Sequence, residues 1–162
     1  MTNKRNIRAW VDWLDRFPLS IRADLTMKKA RWEKNKSGEV VRWIKIDENA
    51  AKRNTSIWLD RLNGRVYGNA YKRFDKKLDV LTVIEKNKDD KRLHVHALIE
   101  CPEWMSRDKM VMLIDKCWDR SPWSYVEREI TEIDTIRGSL FYNLKNGSDG
   151  ADLDNTKLAR AD

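Results

Sequence analysis

The chain has 162 residues, of which 41% are hydrophobic and 36% charged, enough for one core and too few for two full domains. No apolar run approaches the roughly 18–20 residues of a membrane span, and residues 1–16, with Asp12 and Asp15 beside Trp10 and Trp13, lack the apolar stretch of a secretory signal. The 33 Lys and Arg against 26 Asp and Glu leave a net charge of +7, which favours a polyanionic partner, nucleic acid before an anionic membrane surface.

In chain order, Ile7, Trp10 and Leu14 have helical spacing over residues 6–16, and Pro18 ends that pattern. Residues 19–28 alternate Leu19, Ile21, Ala23 and Leu25 against Ser20, Arg22, Asp24 and Thr26, the period of a half-buried strand. A Lys-rich turn closing at Gly38 leads to a second strand over 39–47, with Val40, Arg42, Ile44 and Ile46 on one face. Asp47 is placed to cap a helix that Asn63-Gly64 ends, and residues 65–77 are basic and aromatic without a clear period. Strands follow at 78–85 and 92–100, then a helix from Ser106 to Arg120, a strand at 124–134 and a last helix over roughly 136–146.

This order predicts an α+β fold: a central, mainly antiparallel sheet of about five strands flanked by helices, with one face left for a ligand. A single domain over residues 1–146 and a flexible tail over 147–162 are expected. Cys101 and Cys117 lie among apolar neighbours and read as core residues of a reduced, cytoplasmic protein. The 8 tryptophans allow base stacking as well as core filling.

The chemistry-bearing feature is His94-Val95-His96, which uses both histidines of the chain. Two residues apart on a strand, both imidazoles project from one face. A two-residue turn at Asp89-Asp90 would set Glu85 opposite His94, whereas a three-residue turn would send Glu85 to the other face. Two imidazoles and a carboxylate with open positions suit Mn²⁺ or Mg²⁺, the nitrogens tilting the preference toward Mn²⁺. In the last helix Ile136, Leu140 and Leu144 form one stripe, while Tyr142 and Lys145 lie on roughly the opposite side, one turn apart. A lysine beside a phenol favours phenolate and can also hold a phosphate, so Tyr142 is a candidate nucleophile; an ordinary surface pair is the alternative. Arg22 and Thr26, on the polar phase of the first strand, and Lys72 and Arg73 with Tyr71 are candidate contacts to DNA or plain solvated surface.

The ordered set of LSIRADLTM, Glu85, His94-Val95-His96 and Tyr142-Asn143-Leu144-Lys145 resembles the three motifs of HUH endonucleases, over residues 19–146. More narrowly it is similar to the single-tyrosine initiators of rolling-circle replication in plasmids, phages and related mobile elements. The resemblance implies a metal held by His94, His96 and Glu85, and in-line attack of Tyr142 on single-stranded DNA. The product would be a 5′-phosphotyrosine and a 3′-hydroxyl, from which a second hydroxyl can rejoin strands. Lys145 would orient the phosphate. No GxxxxGK[ST] loop occurs in the chain, so a helicase, like the polymerase, would act in trans, and a monomer or weak oligomer is expected. A transposase or relaxase with the same chemistry, and a non-catalytic single-strand binding module, are the competing readings.

Overall fold

Pro18 breaks the chain after its first helix, and the alternation that follows forms a strand with one apolar face. The computed structural model describes residues 4–86, 92–133 and 155–158. Its elements are α1 (Lys4–Leu14), β1 (Leu19–Met27), β2 (Ala30–Lys34), β3 (Val40–Lys45), α2 (Glu48–Tyr67), α3 (Asn69–Phe74), β4 (Val80–Lys86), β5 (Leu93–Glu100), α4 (Arg107–Asp119) and β6 (Ser124–Glu132). Four strands form an antiparallel sheet in the order β4-β5-β1-β6, and β2 pairs with β3 in a separate two-stranded sheet. The fold is α+β as expected, but the predicted fivefold sheet divides into four strands and a hairpin.

The period of two divides the main sheet into two unlike faces. Ile21, Ala23 and Leu25 of β1 and Val95, Ala97 and Ile99 of β5 pack against Trp58 and Leu62 of α2 and Ile114 and Trp118 of α4. On the other face Leu81, Val83 and Leu98 meet Val11, Leu14 and Phe17, so α1 covers part of the side expected to be left for a ligand. Helix capping follows the sequence: Asp47 accepts from the Ala50 amide at 2.6 Å and Ser106 from the Lys109 amide at 3.3 Å. Of the two cysteines, Cys117 is buried and Cys101 partly so, both are thiols, and burial pushes both pKa values up.

Two boundaries differ from expectation. Helix α2 runs through Asn63-Gly64 and ends at Gly68, whose φ of 54° suits glycine. Asn63 is the reason: it is buried, its amide donates to the Leu59 carbonyl at 2.9 Å, and its carbonyl accepts from the Leu78 amide at 2.8 Å. Those bonds tie the helix to the approach of β4 and offset the roughly 1 kcal/mol cost of an interior glycine. Second, part of the expected tail packs on the sheet. Val80 and Lys157 exchange backbone hydrogen bonds at 2.6 and 2.9 Å, and buried Asn155 donates to the Lys52 carbonyl at 3.0 Å.

The hairpin emerges where β1 ends. It is anchored at its base, the Lys28 amide donating to the Trp123 carbonyl and the Ile46 amide to the Lys29 carbonyl. One face, with Ile44, turns to the core, and the Arg31 guanidinium lies 4.9 Å from the centre of the Trp123 ring. The other bears Trp32 and Trp43, opposed across the strands, 56% and 52% exposed, with ring centroids 4.9 Å apart. Among tryptophans with described side chains, Trp58, Trp118 and Trp123 are buried, whereas Trp13, Trp32, Trp43 and Trp104 are exposed. No helix among the described residues is long and apolar enough to cross a membrane.

Candidate functional site

Three adjacent strands bring the polar residues together. On β4 and β5 Glu85 is the register partner of His94, as a two-residue turn requires. On the other side of β5, His94 pairs with Thr26 and His96 with Asp24 of β1. His94, His96, Glu85, Asp24 and Thr26 therefore share one sheet face, opposite the main core.

Each imidazole is held from β1 through Nδ1. Nδ1 of His96 lies 2.7 Å from Oδ1 of Asp24, and Nδ1 of His94 lies 3.1 Å from the Thr26 hydroxyl. The rings stand nearly parallel, 16° apart in plane and 6.3 Å between centroids. With Nδ1 turned to β1 in both, each ring presents Nε2 on its far edge. Glu85 leans along the strand from its register partner, placing Oε2 at 3.3 Å from Nε2 of His96. Arg22 completes a chain of contacts by holding the second oxygen of Asp24 at 2.8 Å, with Glu129 at 3.7 Å. Burial works to raise the Asp24 carboxyl, but the hydrogen bond and attraction to His96, with Arg22, outweigh it and hold it below the usual carboxylate range.

The donor set fits a divalent ion at one place. Two ligands of one ion at bond lengths near 2.1 Å and angles of 90–110° lie about 3.0–3.4 Å apart, the separation of His96 Nε2 and Glu85 Oε2. A carboxylate on the far nitrogen is the usual partner of a metal-binding imidazole, because it fixes the tautomer and leaves a lone pair at Nε2. Among the described residues no group of three or more His, Cys, Asp or Glu side chains is already gathered around one point. The structure thus brings His96 and Glu85 together and sets His94 parallel beside them.

Other expected site residues fall differently. Thr26, a candidate DNA contact expected on the sheet face with the histidines, does lie on that face, but it is 3% exposed and its hydroxyl is 3.1 Å from Nδ1 of His94. Arg22 is drawn into the same network through Asp24. Tyr71, Lys72 and Arg73 lie on α3, which packs against α2 in the helical layer, and are not brought together with the histidines. Tyr142 and Lys145 lie outside the described residues.

Tyr71 donates to Oδ1 of Asp60 at 2.6 Å, and that bond, with a smaller contribution from burial, pushes its pKa up to about 12. A raised folded value means that this contribution to stability is complete below about 10 and lost as pH rises through about 12. Phenolate absorbance in an alkaline titration should show Asp60→Asn moving Tyr71 back toward 10 while Tyr67, raised mainly by burial, stays near 12. An unchanged titration in the variant would remove Asp60 as the cause.

Asp24 is the member of the histidine cluster that sequence reasoning did not single out. Its phase beside Arg22 and Thr26 was readable, but its pairing with His96 depends on which strand lies next to β1. Compared with protein-family models, curated proteins and solved structures, the chain matches none.

Proposed function

We propose that this protein is a metal-dependent endonuclease that nicks and rejoins single-stranded DNA through a covalent phosphotyrosine, and that it initiates rolling-circle replication of a plasmid, phage or similar element. The observation that carries the reading is the unit Asp24–His96–Glu85, an imidazole oriented by one carboxylate and facing a second at the spacing of two ligands of one ion. The motif order along the chain supports it. His96, Glu85 and the parallel His94 would hold Mn²⁺ or Mg²⁺, which when bound polarises a phosphate oxygen and offsets charge at phosphorus.

The remaining roles belong to the chain itself. Asp24 and Thr26 fix the two rings through Nδ1, so the far nitrogens need no reorganisation when substrate arrives. Tyr142 would supply the phenolate. Its oxygen bonds to phosphorus, the bond from phosphorus to the 3′ oxygen breaks, and that oxygen leaves as a hydroxyl after taking up a proton. Lys145 would favour the phenolate and hold the phosphate. The energy of the broken phosphodiester is kept in the tyrosyl ester, so a 3′-hydroxyl attacking in return restores a continuous strand.

The test is covalent capture on labelled single-stranded oligonucleotides with Mn²⁺. A denaturation-resistant adduct is expected, absent with EDTA and in Tyr142→Phe. An adduct surviving in Tyr142→Phe would move the nucleophile to another residue, and binding without adduct across a diverse oligonucleotide pool would overturn the enzyme reading. One observation favours that second outcome, a non-catalytic single-strand binding module: the exposed tryptophan pair on the hairpin.

A further inference from the structure

Residues 28–45 contain 7 Lys or Arg against 2 Glu, a net +5 of the +7 carried by the whole chain. The same segment holds Trp32, Val40, Val41 and Trp43, all more than half exposed. The opposed Trp32–Trp43 pair lends the hairpin a modest cross-strand stabilisation, yet leaves both indoles more than half exposed, and a hairpin of this kind is marginal alone. Here the Ile46–Lys29 backbone bond closes its base, and the body holds it through the Lys28 amide on the Trp123 carbonyl, partly buried Ile44 and Ile46 packed against the core, and Arg31 over Trp123. Arg42 is paired with Glu33 across the strands. The outer face is thus held on a fixed base and presents two indoles whose area the pair contact leaves more than half open to solvent.

We infer that the β2–β3 hairpin is a base-stacking clamp for single-stranded DNA, with Trp32 and Trp43 as its platform and Lys34, Lys36 and Lys45 as its phosphate contacts. That the strand is DNA rests on the proposed nickase; that it is an unpaired polynucleotide rests on the hairpin. A charge-seeking surface alone would need lysines without indoles, and an apolar protein interface would not carry most of the chain's excess positive charge. The ring centroids, 4.9 Å apart and 60° out of plane, leave no room for an intervening base, since two stacking steps need about 6.8 Å. Bases therefore stack on the outward ring faces. β2 begins four residues after Thr26, within about 14 Å along the chain, so the base of the hairpin is tethered to the strand that carries Asp24 and Thr26.

The experiment measures fluorescence anisotropy of labelled dT20, an abasic oligonucleotide of equal length, rU20 and a duplex, with the full chain in EDTA. Trp32→Ala and Trp43→Ala should each weaken dT20 binding about tenfold or more, with Trp32→Phe and Trp43→Phe keeping most of it, while the abasic strand binds weakly and is indifferent to all four. Lys34→Ala should lower the salt slope by about 0.7. Equal binding of dT20 by wild type and the double alanine variant overturns the clamp, as does abasic binding as tight as dT20. Tighter binding of rU20 than dT20 overturns the assignment to DNA. A concentration-dependent dimer lost in the double variant, with dT20 binding unchanged, overturns it in favour of a second copy. Because binding is read without metal, it is separable from the nickase: binding loss in the variants with no adduct from wild type supports the clamp and sinks the enzyme.

Discussion

In His96→Ala the rate of the proposed covalent adduct formation should fall on the order of 10³-fold or more, the scale of losing several kcal/mol of charge stabilisation at phosphorus. The same variant should lose Mn²⁺ affinity measured directly, by calorimetry or by the signal of the unbound ion. Asp24→Asn gives a smaller loss of about 10–100-fold in affinity and rate, because the imidazole remains but its tautomer and angle are no longer fixed. The gradation is the diagnostic part. Asp24 touches Nδ1 and Glu85 faces Nε2, so raising Mn²⁺ should recover much of Asp24→Asn and little of His96→Ala. A His96→Ala protein that forms adduct at the wild-type rate would end the assignment of this face to metal chemistry.

Trp58→Ala should destabilise the fold by about 3–5 kcal/mol, a large share of a small domain's total, read as a shift in the denaturant midpoint. Trp58 is fully buried between α2 and α4, edge-on to Trp118 with centroids 5.7 Å apart, and its indole N–H donates to the Ile114 carbonyl at 3.3 Å. Truncation leaves a cavity and removes the hydrogen bond to α4 together. Trp58→Phe keeps most of the volume and should cost much less, nearer the roughly 1 kcal/mol of one hydrogen bond plus a small void. A change below about 1 kcal/mol in Trp58→Ala would mean that the two helices do not depend on this contact.

The contrast between readable and unreadable features follows from the range of the interactions. β1 was legible because its alternation reports a local periodicity, and α2 and α4 began where Asp47 and Ser106 can cap them. Glu85 opposite His94 was legible under a stated condition, the turn length between two adjacent strands. β2 was not: ARWEK is charged on both sides of its one tryptophan, and its strand character comes from pairing with β3. The end of α2 was missed because Asn63 is satisfied by Leu78, fifteen residues on, which no local rule for Asn-Gly anticipates. The contacts of Asp24 with His96 and of Thr26 with His94 were hidden for the same reason, since both depend on β1 lying next to β5. Composition suggested stacking but not which tryptophans could serve it.

The short segment over residues 155–158 has a consequence for how molecules of this protein meet one another. β4 is the outermost strand on its side of the main sheet, and such a strand offers a row of outward amides to any extended chain nearby. Two of those amides are already taken, Val80 by the Lys157 carbonyl and Thr82 by the Thr156 hydroxyl at 3.1 Å. A second molecule therefore cannot extend the sheet at that stretch without first displacing the protein's own segment. The segment acts as a guard against edge-to-edge aggregation, and it directs attention for self-association to the two-stranded hairpin, whose strands each have an outer edge.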